Sequence, residues 1–211
     1  MAISTKAELH TAAANWLNRS DLTARLPEFI ALAEAGFNRI LRTRDMLTRA
    51  TASTTSQYVS LPTDFLEMSN IELTSTTPPK RLVYITSDRS DDYREQQNDK
   101  VGIPDYYTIE GTSIQLLPTP DATYTLQLNY FQDIPALAAL ADSGDNWLLS
   151  AHPDIYLYAT LMQASPYIMD PQSAGQWGGL LDRAMLELQM SDEKSRYSGG
   201  TLNMRPKYVY T

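Results

Sequence analysis

The run Ser150-Ala151-His152-Pro153-Asp154 contains the three residue types of a hydrolytic triad: a hydroxyl nucleophile, a base and a carboxylate. A working triad brings these groups together from separate elements of a rigid scaffold, because their side chains must converge on one point. Residues this close in sequence, next to a proline, fit the start of a helix better. We therefore predict no catalytic role for His152, and we expect His10, the only other histidine, to be an ordinary helix residue.

Metal and cofactor chemistry has few candidate residues in this chain. The 211 residues include no cysteine and two histidines, which excludes disulfides, thiolate zinc sites and iron–sulfur clusters and argues against a histidine-rich metal site. The phosphate-binding loop, the dinucleotide-binding glycine motif, the serine-hydrolase elbow and the His-Glu-x-x-His zinc motif do not occur. The sequence thus predicts no catalytic residue, no cofactor and no metal.

Carboxylate pairs leave one enzymatic alternative open. Glycoside hydrolysis needs two carboxyl groups about 5 to 10 Å apart, one of them held protonated. The acids that lie close in sequence are Asp91 with Asp92, Glu67 with Glu72, and Asp192 with Glu193. Among 25 acidic residues such neighbours are inevitable, so a solvated surface is the favoured interpretation and a cell-wall hydrolase is the alternative.

Charge is distributed unevenly along the chain. Residues 1–50 carry seven Lys/Arg against five Asp/Glu, although the whole chain has a net charge of −8. Residues 101–182 contain nine Asp/Glu and no Lys or Arg. Because nucleic-acid binding draws its affinity from basic side chains on phosphates, this segment predicts a surface that does not hold DNA, with solubility as the alternative explanation.

Helical patterns occupy both ends of the chain. Thr5 and Glu8 have the spacing of a capping box and predict a first helix of about three turns. A second helix begins near Pro27, with Glu34 early and Arg39 late, an order that complements the helix dipole. Further helices are predicted over residues 147–168, apolar nearly all round, and residues 173–196, which carry one apolar stripe and end at Gly199-Gly200.

The helix predicted over residues 147–168 must be covered on most of its faces. It therefore indicates either the centre of a helical bundle or a contact between subunits. Its longest apolar run, residues 155–169, is too short to span a bilayer, and residues 1–6 lack the apolar region of a signal peptide. We expect a soluble protein that is not secreted and makes no membrane contact.

The middle of the chain has the alternation and the turn residues of β-structure. From about Leu47 onward, threonine, tyrosine and valine are enriched, and turn signals recur every eight to twelve positions. Residues 88–98 form a polar helix or loop between strands. The predicted strands cover residues 57–61, 65–73, 81–86, 106–110, 113–117 and 123–131.

Together these patterns predict an α+β fold. A helical bundle made from the N- and C-terminal helices holds an inserted antiparallel β domain, and an extended C-terminal tail follows. The predicted parts are the N-terminal helices (residues 1–46), the β domain (47–134), the C-terminal helices (135–197) and the tail (198–211).

The tail has the composition of a binding segment. It contains two basic residues, no acids and aromatic or apolar anchors, so it could lie against an acidic, grooved partner, with a frayed terminus as the plain alternative. Thirteen tyrosines against four phenylalanines also favour contact surfaces, because tyrosine suits sites where one end is packed and the other wet. The tail residues concerned are Arg205, Pro206, Lys207, Tyr208, Val209 and Tyr210.

Several short motifs follow one another in a distinctive order. They are Leu26-Pro27-Glu28-Phe29-Ile30, Leu61-Pro62-Thr63-Asp64-Phe65, Pro104-Asp105-Tyr106-Tyr107, Ile114-Gln115-Leu116-Leu117-Pro118-Thr119-Pro120, Leu128-Asn129-Tyr130, Asn146-Trp147-Leu148-Leu149 and His152-Pro153-Asp154-Ile155-Tyr156. In this order the chain resembles the head-to-tail adaptor, or connector, proteins of tailed bacteriophages. It looks most like the tail accessory factor and tail tubular protein A types of short-tailed phages.

The resemblance implies a structural virion protein that is not an enzyme. Such a protein forms a homo-oligomeric ring, expected to be twelve-fold, beneath the portal protein. It joins the portal to a downstream tail protein (a nozzle, tube or spike) and extends the channel through which the genome is ejected, without binding DNA specifically. The helices would form the ring body and the β part would face the tail. Residues 205–210 would dock on the portal. We expect the protein in the virion neck, and in the host cytoplasm during assembly.

Two other function classes remain as alternatives. The first is the tail-associated hydrolase that would use a carboxylate pair. The second is a free host-side binding domain that uses its β surface and stays a monomer.

Overall fold

The computed structural model describes residues 3–98 and 100–196, and the predicted tail lies outside these residues. The chain divides into two units. A helical unit combines the residues up to Arg39 with those from Pro135 onward, and a β unit comprises Ile40–Ile134. The α+β class predicted from the sequence is confirmed.

The described residues form six α-helices. In chain order these are α1 (Lys6–Leu17), α2 (Leu26–Ile40), α3 (Ser87–Gln97), α4 (Trp147–Ala151), α5 (Pro153–Tyr167) and α6 (Pro171–Arg196). Single 3₁₀ turns lie at Thr23–Arg25, Arg44–Met46 and Leu137–Ala139. The helix α3 belongs to the β unit, in the polar stretch predicted as a helix or loop.

The capping box predicted at the start of α1 is present. Thr5 Oγ1 accepts the backbone N–H of Glu8 at 3.3 Å, and Glu8 Oε2 accepts the backbone N–H of Thr5 at 3.1 Å. These bonds satisfy two donors that a helix start otherwise leaves free. The helix ends at Asn18, whose φ of 50° is the left-handed conformation in which asparagine often ends helices.

One helix was predicted over residues 147–168, but the chain forms two. The break lies at His152, between α4 and α5. Pro153 has no backbone N–H to continue the hydrogen-bond ladder of α4, and it also disfavours helical geometry in the residue before it. His152 accordingly has φ −136° and ψ 63°, and Pro153 begins α5 as its first residue.

The apolar character of α5 is explained by burial on several faces. Residues buried along this helix include Ile155, Leu157, Leu161 and Ala164, and α5 contacts α1, α4 and α6. Burying one such large apolar side chain stabilises a fold by about 1.5–3 kcal/mol. The helix α5 therefore forms the core of the helical unit.

The β unit contains two four-stranded sheets and one short pair of strands. Their orders are β1-β10-β3-β4, β2-β8-β7-β5 and β6-β9. The strands are β1 (Leu47–Thr54), β2 (Tyr58–Ser60), β3 (Phe65–Leu73), β4 (Lys80–Arg81), β5 (Val83–Tyr84), β6 (Val101–Gly102), β7 (Tyr106–Glu110), β8 (Ser113–Leu117), β9 (Thr119–Pro120) and β10 (Tyr124–Gln132).

Most strand pairs are antiparallel, as predicted, but β5 with β7 and β6 with β9 are parallel. The core of the β unit is apolar: Leu126 and Leu128 of β10 stand opposite Leu73 and Ile71 of β3, and all four side chains are buried. Alternation along each strand places these residues on one face, which fixes the register of the pairing.

Two details of the β unit differ from the sequence prediction. β1 was not among the predicted strands, because its Leu-Thr-Arg-Ala-Thr-Ala-Ser-Thr sequence has no large inward-facing side chain, although it pairs with β10 over eight positions. The strand predicted over residues 81–86 is instead two short strands that join different sheets. Lys80 pairs with Leu73 in the first sheet, and Val83 pairs with Tyr106 in the second.

Candidate functional site

The residues of the triad-like run do not form a triad. Ser150 Oγ donates to Asp145 Oδ2 at 2.6 Å and to the carbonyl oxygen of Asn146 at 3.0 Å. His152 donates its backbone N–H to the carbonyl oxygen of Leu148 at 2.8 Å, and Asp154 lies in the first turn of α5. Each residue therefore serves the junction between α4 and α5, in line with the prediction that this run begins a helix.

His10 lies on α1, as predicted. Burial, with a smaller contribution from the Lys6 ammonium group, lowers the pKa of its imidazole. Its Nε2 is buried and has no hydrogen-bond partner among residues 3–98 and 100–196. Within the same residues, no group of three or more His, Asp or Glu side chains converges in a way that could hold a metal ion.

Two of the carboxylates singled out from the sequence form ion pairs with arginines, and two others are exposed on a helix. Glu67 Oε2 accepts Arg42 Nε at 2.8 Å, and Asp192 Oδ2 accepts Arg196 Nε at 2.8 Å. Asp91 and Asp92 are exposed on α3. Nothing in the described part of the chain supports the hydrolase alternative for these acids.

Burial raises the pKa of two acids, Asp133 and Glu34. Burial, and then the nearby Asp64 carboxylate, raise the pKa of Asp133 at the end of β10. Asp64 in turn accepts the Tyr130 hydroxyl at 2.9 Å, and burial together with this bond raises the pKa of Tyr130 to about 12. The backbone N–H of Asp133 also donates to the carbonyl oxygen of Asp64 at 2.8 Å. These contacts fix the C-terminal end of β10.

The second acid is Glu34 of α2, which is 4% exposed. Its Oε1 accepts the backbone N–H of Leu137 at 2.8 Å and the Tyr156 hydroxyl at 3.0 Å. Asn146 Nδ2 donates to the same hydroxyl at 2.7 Å. Burial raises the pKa of Glu34 in spite of these hydrogen bonds. The sequence predicted only that Glu34 complements the dipole of its helix, whereas the structure makes it the centre of a buried polar network.

This network holds the segment that leads into the C-terminal helices. Asn146 Nδ2 also donates to the carbonyl oxygen of Pro135 at 2.8 Å, and Asn146 Oδ1 caps α4. Lys6 holds the following residues. Its Nζ donates to the carbonyl oxygen of Leu140 at 3.1 Å, and its backbone N–H donates to the carbonyl oxygen of Gly144 at 3.0 Å. Residues 135–146 are therefore held along their length by fixed polar contacts.

Most Asp and Glu residues of the segment 101–182, which has no Lys or Arg, have a hydrogen-bond or ion-pair partner. Asp105 pairs with Lys80, Glu110 with Ser87, Asp121 with Tyr124, Asp142 with Lys6, Asp145 with Ser150 and Asp170 with Ser173. Asp154 and Asp182 are exposed and have no hydrogen bond or ion pair within the described part of the chain. These two carboxylates are the ones most able to contribute to an open acidic surface.

An open cavity of about 330 Å³ lies beside α3 in the β unit. The rings of Tyr93 and Tyr106 meet edge to face there, with centroids 5.3 Å apart. The helix is anchored by Ser90, whose buried hydroxyl donates to Gln115 Oε1 at 3.1 Å. The cavity is a shallow polar groove lined by Ile85, Arg89, Asp92, Tyr93, Gln96 and Tyr106.

The predicted docking residues Arg205 to Tyr210 lie outside the described residues, as does the Gly199-Gly200 pair. Within the described part of the chain, no helix combines the length and the apolar character needed to cross a bilayer.

Comparison with known proteins identifies the family. No curated protein matches the chain. The family model described as SU10 adaptor protein matches residues 4–205, nearly the whole chain. This confirms the resemblance to head-to-tail adaptors, while the likeness to the tail accessory factor and tail tubular protein A types stays a prediction. The chain belongs to the SU10 adaptor protein family and is a structural adaptor protein of a bacteriophage, a component of the virion neck that interacts with portal and tail proteins.

Proposed function

We propose that this adaptor assembles into a ring, twelve-fold in number, beneath the portal and extends the genome channel toward the tail. The observation that carries the proposal is the SU10 adaptor match over residues 4–205, which includes both the helical unit and the β unit. A channel component needs a rigid scaffold and no catalytic constellation. The local roles of Ser150, His152 and the carboxylate pairs are consistent with that requirement.

Within this proposal, the tail docks on the portal protein. Its residues Arg205, Pro206, Lys207, Tyr208, Val209 and Tyr210 combine two basic charges with aromatic anchors, which suit an acidic groove on a partner. The helical unit forms the ring body, and the β unit contacts the next tail protein.

The proposed channel does not bind DNA specifically. Residues 101–182 include no Lys or Arg, and exposed carboxylates such as Asp154 repel phosphates. A basic lining would instead hold the genome through many charge contacts. Purified adaptor is therefore expected to leave double-stranded DNA unshifted in a gel at physiological salt, and a stable complex would contradict this part of the proposal.

Electron microscopy of the adaptor mixed with isolated portal rings tests the assembly. We expect a collar beneath the portal, with twelve repeats in averaged end views. A chain that lacks residues 198–211 should leave the portal bare, whereas a matched chain with the same tail residues in scrambled order controls for length. Normal binding by the truncated chain would remove the docking role of the tail, and a bare portal with the intact chain would overturn the ring itself.

A further inference from the structure

The helix α6 has an outer face that the described residues leave uncovered. Its inner face buries Ala184 and Leu188, and of the other described elements α6 packs extensively only with α5. On the opposite face Asp182, Leu186 and Met190 follow one another at four-residue spacing, which places them in one row along the helix. Leu186 is 57% exposed and Met190 is 62% exposed. We call this row the outer face of α6.

The helix α2 has a comparable row. Its inner face contacts α5, where Phe29 meets the ring of Tyr167 and Phe37 meets the ring of Tyr156. Leu32, Ala35 and Arg39 are exposed and lie at spacings of three and four, so they also form one row. Leu32 is 54% exposed. We call this row the outer face of α2.

The two outer faces carry opposite charges at matching positions. Arg39 donates its Nε to the carbonyl oxygen of Ala35 at 2.9 Å, and it forms no ion pair within residues 3–98 and 100–196. Asp182 likewise has no ion pair or hydrogen bond in that part of the chain. Because Arg39 and Asp182 carry opposite charges and form no ion pair in that part of the chain, they are candidates for a contact between copies of the chain.

Size and spacing match when the helices run antiparallel. With Arg39 opposite Asp182, the small Ala35 stands opposite the large Leu186, and Leu32 stands opposite Met190. The distance along the axis from Arg39 to Leu32 is about 11 Å, and from Asp182 to Met190 it is about 12 Å. Helices pack well when large side chains of one fit beside small residues of the other.

We infer that the outer face of α6 of one copy packs antiparallel on the outer face of α2 of the next copy. The two faces differ, so each copy uses one face toward each neighbour, and such head-to-tail contacts generate a closed ring when the rotation between copies closes. The inference rests on the proposed ring and names the surfaces that would join its subunits.

Cross-linking tests this contact directly, because the natural chain has no cysteine. The double variant Leu32→Cys with Met190→Cys is treated with a short bismaleimide, both alone and on portal rings, and analysed on a denaturing gel. We expect a ladder that extends beyond the dimer. Each single variant can give dimers at most, and Thr11→Cys with Met190→Cys is a matched double control because Thr11 is exposed on α1.

The outcomes separate this contact from the ring. A ladder with the Leu32/Met190 pair and not with the control pair supports the inference. Collars on the portal without that ladder, or equal ladders from both pairs, overturn the contact and leave the ring in place. Portal rings with neither collar nor ladder overturn both proposals.

Charge reversal provides a second test that does not depend on new cysteines. Arg39→Asp and Asp182→Arg should each weaken assembly on the portal about tenfold or more, because each places like charges opposite one another. Combining the two changes should restore assembly. Rescue in the double variant cannot arise from misfolded single variants, and the absence of any loss in either single variant would overturn the inference.

Discussion

The cores of the helical unit and the β unit differ in composition. The β unit buries a cluster of apolar and aromatic side chains, including Ile71, Leu116 and Leu128. The helical unit also buries apolar residues, but a carboxyl group, Glu34, lies at its centre with Tyr156 and Asn146. In the β unit, the alternation of apolar and polar side chains is sufficient to align neighbouring strands. The helical unit is built from both ends of the chain, and its hydrogen-bonded polar network gives it directional contacts between them.

The sequence separations show what this network accomplishes. Glu34 meets Leu137 across 103 residues and Tyr156 across 122 residues, with the whole β unit between them along the chain. Hydrogen bonds are directional, so these contacts select one placement of the returning chain where apolar packing would accept several. The difference teaches that the helical unit is more sensitive to the loss of single polar atoms than the β unit is.

The largest expected effect is that of Tyr156→Ala. Tyr156 is fully buried, and its removal leaves a cavity beside Phe37 together with unpaired groups on Glu34 and Asn146. We expect a loss of about 3–5 kcal/mol in the free energy of unfolding. All three tryptophans lie in the helical unit, so their fluorescence during urea unfolding reports on it. The control is Leu180→Ala, and an equally small loss in both variants would contradict the prediction.

Leu128→Ala should have a comparable or slightly smaller effect on the β unit. Leu128 lies on β10, the strand between β1 and β3, and its side chain is 1% exposed. Its truncation should cost about 2–5 kcal/mol. Amide hydrogen exchange in peptides from β3 and β10 measures this loss locally. Gln127→Ala, one position along the same strand, is the matched control, and unchanged protection in Leu128→Ala would speak against an apolar core as the source of stability.

A matched pair of tyrosine variants sharpens the comparison between the units. Tyr156→Phe removes the hydroxyl that Glu34 and Asn146 share as a hydrogen-bond partner. Because buried polar groups are then left unsatisfied, the free energy of unfolding should fall by about 1–3 kcal/mol. Tyr130→Phe removes a hydrogen bond to the half-buried Asp64, which water can replace, and should cost about 0.5–1.5 kcal/mol. Urea unfolding of both variants measures the difference. A greater loss in Tyr130→Phe would reverse the contrast drawn here.

The smallest effect is a pH dependence. Burial raises the pKa of Glu34 above its ordinary value of 4.5, so the folded chain binds this proton more tightly than the unfolded chain does. The stabilising contribution is therefore fully present below pH 4.5 and is lost as the pH rises through the raised pKa. The Lys6 charge opposes part of the rise.

Glu34→Gln keeps an acceptor for the Leu137 N–H and removes the ionisation. Its unfolding midpoint, followed by tryptophan fluorescence, should vary less between pH 4.5 and pH 7 than that of the natural chain. Glu28→Gln, on the exposed side of the same helix, is the control. Parallel pH profiles for the natural chain and Glu34→Gln would show that Glu34 has no part in the dependence.

Local signals in the sequence predicted much of the fold. The capping box of Thr5 located the start of α1, and alternation gave the bounds of β3, β7 and β8 as they are observed. These elements depend on neighbours within a few positions. β1 was not predicted because its small and hydroxyl side chains gain their strand character only from pairing with β10, which lies at least 70 positions away.

The family could be predicted from the order of short motifs, but the surfaces could not. The dipole pattern of its helix says nothing about the burial of Glu34, and only the return of residues 135–156 shows that it is buried. The outer faces of α2 and α6 depend equally on tertiary contacts, because exposure of Leu32 or Met190 is not a property of a single helix. Periodicity identifies which residues share a face, and packing decides which faces are covered.

The run Lys80–Tyr84 gives the β unit a mechanical property. Arg81 pairs with Glu72 in one sheet, Leu82 donates its N–H to Ile71 at 3.0 Å, and Val83 donates to Asp105 of the other sheet at 3.0 Å. One short length of backbone is thus fastened to both sheets. A movement of one sheet relative to the other must therefore break the hydrogen bonds that hold this run to one of them. The run Lys80–Tyr84 therefore links the two sheets mechanically, so that neither sheet can shift without loading the other.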